Sequence, residues 1–159
     1  TSKPAWQNRF KASADDELLT SRIDDGLSPE ERTTQDAMTR AMLKRTLADA
    51  QWHALAGKYS VNEGEVQEAA RYLIPRVVSP AHHLFKTKCV MAWMVPERRR
   101  GLPANFYEIH TWDADGTPDR TLRRWRATTM RWLDDQVNAA HIAVESLLED
   151  NGLLLKDAA

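Results

Sequence analysis

The sequence predicts an all-α protein of five or six helices, including a helix-turn-helix-like segment and a long C-terminal helix. Three observations carry this prediction. Serine or threonine followed by proline opens three segments, which is a typical helix start. Apolar residues then recur every three or four positions, as they do on one face of a helix. Glycine or proline follows most of these segments, and both residues favour helix ends.

The first half of the chain contains the expected starts of four helices. Ser13, with acidic residues soon after it, begins a short helix that Gly26 ends. Ser28 is an expected N-cap, with Pro29 at the first helical position and acids in the first turn. Asn62 opens a further helix, which stops before a proline. The expected spans are a flexible arm at 1–12 and helices at 14–25, 29–44, 47–58 and 62–74.

The next predicted helix covers residues 80–94 and begins at Ser79-Pro80. Its expected core face is Leu84, Phe85, Cys89, Ala92 and Trp93. Residues 96–116 contain two prolines and two glycines and show little periodicity. Within them, FYEIHTW at 106–112 is either a short strand or an irregular aromatic tether, and we favour the tether.

The last predicted helix runs over 117–150, from the Thr117-Pro118 start to Asn151-Gly152. At 1.5 Å per residue, such a helix is about 50 Å long, more than a domain of this size needs to bury. We therefore expect part of it to project or to pack against a partner. We assign residues 13–152 to a single helical domain and 153–159 to a tail. The expected core face of this helix is Leu122, Trp125, Thr129, Leu133, Val137, Ala140, Val144 and Leu148.

Composition indicates a globular protein that does not enter a membrane. Hydrophobic residues make up 42% and charged residues 28% of the 159 positions, and no apolar run approaches the length of a membrane span. The first residues, TSKPAWQNRFK, contain no apolar signal core, which predicts no secretion. With a single cysteine, an intramolecular disulfide is impossible, and a reducing cytoplasm is the expected location.

Positive charge is concentrated in one part of the sequence, although the net charge is only −1. Residues 98–131 contain eight arginines and four acids, whereas residues 132–159 contain one lysine and six acids. Such a basic patch with an acidic border is the kind of surface that an anionic partner recognises. The alternative is that these arginines merely keep a helix face in water.

Signatures of catalysis and of metal binding are missing from the sequence. It contains no glycine-rich phosphate loop, no recognisable nucleophile and no dinucleotide fingerprint. His82, His83, Cys89 and His110 are the only cluster worth testing as metal ligands, and they lack the paired spacing of zinc sites. We therefore predict a protein that is not an enzyme and that has neither a metal nor another cofactor.

Residues 47–94 are the segment that we expect to bind DNA. Three helices joined by short turns fit a helix-turn-helix-like module. Acids at the start of the 62–74 helix would repel phosphate, whereas the start of the 80–94 helix is basic. We therefore predict 80–94 as the recognition helix. The candidate DNA-binding residues are Arg76, Ser79, His82, His83, Lys86 and Lys88. The alternative is an ordinary amphipathic core helix.

The arginine patch is a second candidate site, for RNA or other phosphate, or for a polymerase surface. Arginine suits phosphate because its planar guanidinium donates two parallel hydrogen bonds. We expect Trp125 to lie in the core and Trp132 to be available for stacking on a base or an arginine. The candidate residues of this site are Arg98, Arg99, Arg100, Arg120, Arg123, Arg124, Arg131 and Trp132.

Residues 28–150 resemble the Q-class phage-type transcription antiterminators, and among them the AlpA-type regulators of pseudomonads. Two segments carry the resemblance: QWHALAGKYSVNEGEVQEAARYLIPRVVSPAHHLFKTKC at 51–89 and TPDRTLRRWRATTMRWLDDQV at 117–137. The likeness lies in size, helical order and charge layout. Some Q proteins contain a cysteine-rich zinc element, which a chain with one cysteine lacks.

The resemblance implies a bacterial or phage-encoded protein that binds a promoter-proximal DNA element and loads onto RNA polymerase holoenzyme. There it would narrow the path of the nascent RNA and so suppress pausing and termination. Two other classes stay open. One is a helix-turn-helix repressor or small terminase subunit that oligomerises through the long helix. The other is a phage-encoded inhibitor or adaptor that binds protein and makes no contact with nucleic acid.

Overall fold

Residues 26–152 are described by a computed structural model, and within them the predicted all-α class is confirmed. No strand occurs in this range, and its last helix is the predicted long one. The expected arm at 1–12, the helix at 14–25 and the tail at 153–159 lie outside the described residues. The helices are α1 (Pro29–Thr46), α2 (Asp49–Tyr59), α3 (Glu63–Leu73), α4 (His83–Met94) and α5 (Asp119–Asp150).

The predicted start of α1 is confirmed in full. The Ser28 hydroxyl accepts the backbone N–H of Glu31 at 3.2 Å, and the Glu31 carboxylate accepts the backbone N–H of Ser28 at 3.2 Å. This capping box satisfies two backbone donors that a helix start leaves without partners. The predicted N-cap of α3 is confirmed too, because the Asn62 side chain accepts the backbone N–H of Glu65.

The other two predicted starts are wrong by a few residues. The Ser79 hydroxyl accepts the N–H of Ala81 in a local turn, and α4 begins only at His83, with the His82 side chain as its N-cap. The Thr117 hydroxyl donates to Asp113, so that α5 begins at Asp119 after Pro118. In both cases a nearby group engages the hydroxyl in place of the helix start: the backbone N–H of Ala81 for Ser79 and the carboxylate of Asp113 for Thr117.

The connections inside the helix-turn-helix-like segment differ in length. Three residues, 60–62, join α2 to α3, whereas residues 74–82 join α3 to α4 and begin with a 3-10 turn at Ile74–Arg76. The expected short turn before α4 is therefore wrong. Pro75 closes α3 early, and the Ser79 turn delays the next helix. A DNA-reading role for residues 47–94 stays a prediction.

Two apolar clusters form the core of the described residues. The first joins α2, α3, α4 and α5, and within it Gly57 allows a close approach, because a Cβ there would lie 2.9 Å from Met94 Sδ. The second joins α4 and the start of α5 to the segment between them. Its buried members are Ala81, Phe85, Cys89, Ala92, Ile109, Trp112 and Leu122.

Four of the five predicted core residues of α4 are buried, and Leu84 is half-buried. Val90 and Met94 are buried as well, although the sequence did not single them out. α4 is enclosed on more than one side, because it contributes to both clusters. An apolar stripe cannot identify every buried position of such a helix.

The predicted core face of α5 is largely confirmed. Leu122, Thr129, Leu133, Val137 and Ala140 are buried, while Trp125, Val144 and Leu148 are half-buried. Ala140 is the last buried residue of the helix, and Ile142 is 71% exposed. The final ten residues of α5 therefore contribute no fully buried side chain to the described part of the chain.

α4 and α5 run parallel to each other. The Phe85 ring meets the Trp125 ring edge-on at 6.1 Å, and eight residues later Trp93 Nε1 donates to Asp134 Oδ1 at 2.9 Å. Residue numbers thus increase in the same direction along both helices. The start of α4 and the start of α5 consequently lie at the same end of the molecule.

The segment at 106–112 is an aromatic tether, as predicted, and not a strand. It forms two 3-10 turns, Ala104–Tyr107 and Ile109–Trp112, and buries Ile109 and Trp112. Trp112 Nε1 donates to the carbonyl of Phe106 at 2.6 Å, and the Tyr107 hydroxyl donates to the carbonyl of Val95. These contacts hold the loop before α5 against α4.

Candidate nucleic-acid interface

Four predicted arginines form an outward face on the first half of α5. All four are exposed; Arg120, Arg124 and Arg131 lie on the side of the helix opposite to Leu122 and Leu133, and Arg123 lies beside them. Within residues 26–152, none of the four forms an ion pair or hydrogen bond with another side chain. Their guanidinium groups are therefore open to a ligand. We call these four residues the arginine face.

The charges of α5 oppose its helix dipole. A helix start carries partial positive charge, so cations there reduce stability and anions increase it. α5 has one acid and four arginines in residues 119–126, and its last turn contains acids and no base. α1 shows the favourable arrangement, with acids in the first turn and Lys44 and Arg45 in the last. The arginine face is thus not explained by the needs of its own helix.

The residues predicted to read DNA have different local roles. Ser79 and His82 accept backbone N–H groups at the start of α4, whereas His83 is exposed and makes no such bond. Lys86 is half-exposed on the next turn, and the Lys88 ammonium lies 4.9 Å from the centre of the Phe106 ring. His82, His83 and Lys86 remain accessible to a ligand.

Arg76 belongs to a stack that the sequence did not reveal. Its guanidinium lies 3.6 Å from the centre of the Tyr72 ring, and it donates to the Tyr72 carbonyl at 2.8 Å. The His53 ring stacks on Tyr72 at 4.4 Å. The three groups tie α2 to the end of α3. The spacing of residues along the sequence cannot predict a contact between two helices. The stack gives Arg76 a structural role that does not involve DNA.

The parallel helices bring parts of the two predicted basic sites to the same end of the molecule. His82, His83 and Lys86 lie at the start of α4, and Arg120, Arg123 and Arg124 lie at the start of α5. The sequence alone suggested two separate surfaces. In the structure these six residues lie at a single end, where two helix starts add partial positive charge.

The Arg98–Arg100 loop lies elsewhere. Arg99 donates to the carbonyls of Lys58 and Met94, at the C-terminal ends of α2 and α4. Lys58 in turn lies 3.6 Å from Asp134 on α5. Asp134 is eleven residues beyond Arg123, or about 16 Å along the helix. The loop is therefore at the level of the far end of the arginine face, nearest to Arg131.

The two tryptophans of α5 are both half-buried. Trp132 is half-buried against the first core cluster, so only part of its ring is open to stacking. Trp125 is half-buried against the second cluster rather than fully enclosed. Both side chains therefore help to attach α5 to the other helices.

The cluster considered as a metal site is dispersed. Cys89 is buried, and burial raises the pKa of its thiol to about 12 despite the nearby Arg126 and Thr129. His82 caps α4, and His110 lies beside Glu108 on the 3-10 turn. Among the described residues, no three His, Cys, Asp or Glu side chains are placed to share an ion. None of the described helices is long and apolar enough to cross a membrane.

We expect stability to depend on pH through His53. Burial lowers the pKa of His53 below 6.5; Asp49 and Glu68 oppose this effect, and Lys44 and Arg76 reinforce it. Nδ1 is buried and has no partner among the described residues, so a proton there would lack an acceptor.

The unfolded chain then binds a proton more readily than the folded one, and the free energy of unfolding should fall as pH drops below 6.5. Urea titrations between pH 7.5 and 5.5 measure this change, which His53→Gln should reduce. His110→Gln, on an exposed histidine, is the matched control. An unchanged pH dependence in His53→Gln would contradict the expectation.

Comparison with protein-family models, with curated proteins and with solved structures finds no match to this chain.

Proposed function

We propose that this protein is a transcription antitermination factor. It binds a promoter-proximal DNA element and RNA polymerase holoenzyme, and it suppresses pausing and termination by contact with the nascent RNA path. It acts by binding, without catalysis, in the cytoplasm of a bacterium or a phage-infected cell. The observation that carries the nucleic-acid part is the arginine face of α5.

Three properties of the arginine face support contact with phosphate. The four side chains are exposed, make no ion pair within the described residues and oppose the dipole of their own helix. Arginine binds phosphate through bidentate hydrogen bonds, and neutralised phosphates release counterions. The face also meets an acidic half of the same helix, with the exposed Asp135 and Asp150, which discourages nucleic acid from extending along all of α5.

The DNA part of the proposal rests on the start of α4. His83 and Lys86 are accessible there, next to the start of α5. The polymerase part rests on the resemblance of residues 28–150 to the Q-class antiterminators in size, helical order and charge layout. The two parts therefore need separate tests.

A pull-down from bacterial lysate tests the polymerase part. RNA polymerase subunits should co-purify with the tagged protein, and nuclease treatment should not remove them. A template with a promoter, an early pause and a terminator then tests the activity, and read-through should rise when the protein is added. Co-purification that disappears with nuclease, together with unchanged read-through, would refute antitermination.

A variant at the start of α4 tests the DNA part. His82→Ser with His83→Ala and Lys86→Ala removes both rings and the charge, while serine keeps the N-cap that His82 provides. Sequence-specific binding should fall by about tenfold or more, since each lost base contact costs roughly 1–3 kcal/mol. A gel shift against excess non-specific DNA measures this, with helicity checked by circular dichroism. Unchanged specific binding would place DNA recognition elsewhere.

A second candidate function is a DNA-binding repressor or a small terminase subunit. The observation that favours it is the end of α5, where Ile142 is exposed and no residue from 141 to 152 is fully buried. Such an end suits oligomerisation through the long helix. Light scattering combined with the read-through assay separates the two functions. An oligomer that binds DNA and leaves termination unchanged would favour this candidate.

A further inference from the structure

The three consecutive arginines of the 96–101 loop are not equivalent in the structure. All three are exposed, but Arg98 and Arg100 make no side-chain bond within the described residues. Arg99 folds back, and its Nη1 atom donates to the carbonyl oxygens of Lys58 at 3.1 Å and Met94 at 3.2 Å. Both carbonyls lie in the last turns of their helices, where no backbone donor within the helix can reach them.

Arg99 therefore joins the ends of α2 and α4. Hydrogen bonds from a charged donor are stronger than those between neutral groups, and a cation at a helix end also meets the negative end of the dipole. A guanidinium engaged in this way has fewer donors left for a phosphate. Its position fixes the loop that carries Arg98 and Arg100.

The backbone of the loop is held in a costly conformation at Arg100. Arg100 has φ +50° and ψ 135°, and it is the only non-glycine residue with positive φ between residues 26 and 152. Side chains other than glycine rarely adopt such a conformation. Gly101 follows at φ +153° and packs on Val95, since a Cβ there would lie 3.3 Å from Val95 Cγ1. The last residue of the loop thus packs on Val95, the residue just before the loop begins.

Strain of this kind persists only where surrounding contacts impose it, and it concentrates at binding sites. Here the Arg99 bonds and the Tyr107 bond to the Val95 carbonyl impose it on both sides of the loop. Neither contact needs an arginine at position 100. Glycine would fit the same backbone with less strain, so the presence of arginine indicates a use for its side chain.

We propose that the 96–101 loop is a preformed phosphate clip, in which Arg98 and Arg100 bind the backbone of single-stranded RNA and Arg99 is a positioning residue. This inference rests on the proposed function and assigns different roles to three arginines that look alike in the sequence. The Lys58–Asp134 ion pair places the loop at the level of Arg131 along α5.

Four single variants test this division of roles: Arg98→Gln, Arg99→Gln, Arg100→Gly and, as control, Arg71→Gln on the exposed side of α3. The probe is a fluorescent single-stranded RNA oligonucleotide, titrated at several salt concentrations. Denaturation midpoints and hydrogen exchange of the loop amides are measured on the same proteins. The control should behave as the wild type in every measurement.

Loss of a direct phosphate contact changes the salt dependence of binding. Arg98→Gln and Arg100→Gly should each reduce the slope of log affinity against log salt by about 0.7, the value for one phosphate of a single strand. Neither should lower the denaturation midpoint, and Arg100→Gly should raise it, because glycine relieves the strain. An unchanged slope in both variants would overturn the clip.

Replacement of the positioning residue Arg99 should change binding and stability in a different way. Arg99→Gln should lower the denaturation midpoint and speed exchange of the loop amides. It should weaken RNA binding severalfold but leave the salt slope unchanged, because the same phosphates are still neutralised once RNA is bound. A reduced slope would make Arg99 a direct contact, and unchanged affinity would make it purely structural; either result overturns the inference.

The proposed function and the clip fail in different ways. Wild-type binding that is absent or insensitive to salt would overturn both. Salt-dependent binding that weakens in arginine-face variants, but not in loop variants, would overturn only the clip.

Discussion

Neutralising the start of the arginine face should abolish activity while leaving the protein as stable as before, or more so. In the variant Arg120→Gln, Arg123→Gln and Arg124→Gln, three exposed charges are lost at the start of α5. Loss of three phosphate contacts should weaken nucleic-acid binding on the order of 10–100-fold at moderate salt and reduce the salt slope by about two to three. Terminator read-through should fall to the level without protein.

Stability should change in the opposite direction to binding. Arginines near a helix start oppose the dipole, and each is expected to cost a few tenths of a kcal/mol, up to about 1 kcal/mol, when exposed. Their removal should therefore raise the free energy of unfolding slightly. A gain in stability together with a loss of binding is the expected mark of residues that serve a partner rather than the fold.

A matched variant controls for net charge. Lys44→Gln, Arg45→Gln and Arg71→Gln also remove three exposed positive charges, but from α1 and α3. Affinity and read-through should stay close to those of the wild type, and stability should fall slightly, because Lys44 and Arg45 suit the end of α1. Equal loss of binding in both variants would mean that net charge alone matters and that the arginine face is no site.

Much of the fold could be predicted because helix starts and apolar spacing are local properties of the chain. Ser28, Pro29 and Glu31 lie within four residues; Ser28 is the predicted N-cap, and together with Glu31 it forms a capping box. The core face of α5, from Leu122 to Ala140, could be predicted in the same way, because its residues recur every three or four positions over five turns. Errors arose where a nearby side chain took the expected cap, as Asp113 does with Thr117.

The candidate site was less predictable because it depends on the arrangement of helices. Arg98, Arg99 and Arg100 look identical in sequence, and only the meeting of α2 with α4 distinguishes Arg99. The shared end of α4 and α5 follows from their parallel packing, which no spacing within either helix encodes. Long-range contacts of this kind are a property of the whole fold.

Trp112 is a core residue that apolar spacing in the sequence does not predict. It lies in a stretch without periodicity, yet it is the largest fully buried side chain of the described residues, at 1% exposure. Its ring meets Phe85 edge-on at 5.5 Å and shares a cluster with Leu122. The feature of the sequence that indicates burial here is the concentration of aromatic residues between two helices, and an analysis of helical periodicity does not detect it.

Trp112→Ala should be the most destabilising single substitution that the structure suggests. It removes a buried indole between α4, the tether and α5, and it also removes the hydrogen bond to the Phe106 carbonyl. A buried tryptophan replaced by alanine typically costs about 3–5 kcal/mol. Since small proteins are stable by only about 5–15 kcal/mol, a large part of the total stability would be lost. The melting temperature should fall by roughly 10–15 °C.

Trp125→Ala is the matched control, because the same side chain is removed from the same cluster at a half-buried position. The sequence predicted Trp125 as the anchor of α5, and the structure assigns the larger share of that role to Trp112. Trp125→Ala should therefore cost about half as much, since less apolar area leaves water on folding. Urea denaturation of both variants measures the difference. Trp112→Phe, which keeps an aromatic ring, should lie between wild type and Trp112→Ala. A larger loss in Trp125→Ala than in Trp112→Ala would show that the second cluster depends on α5 rather than on the tether.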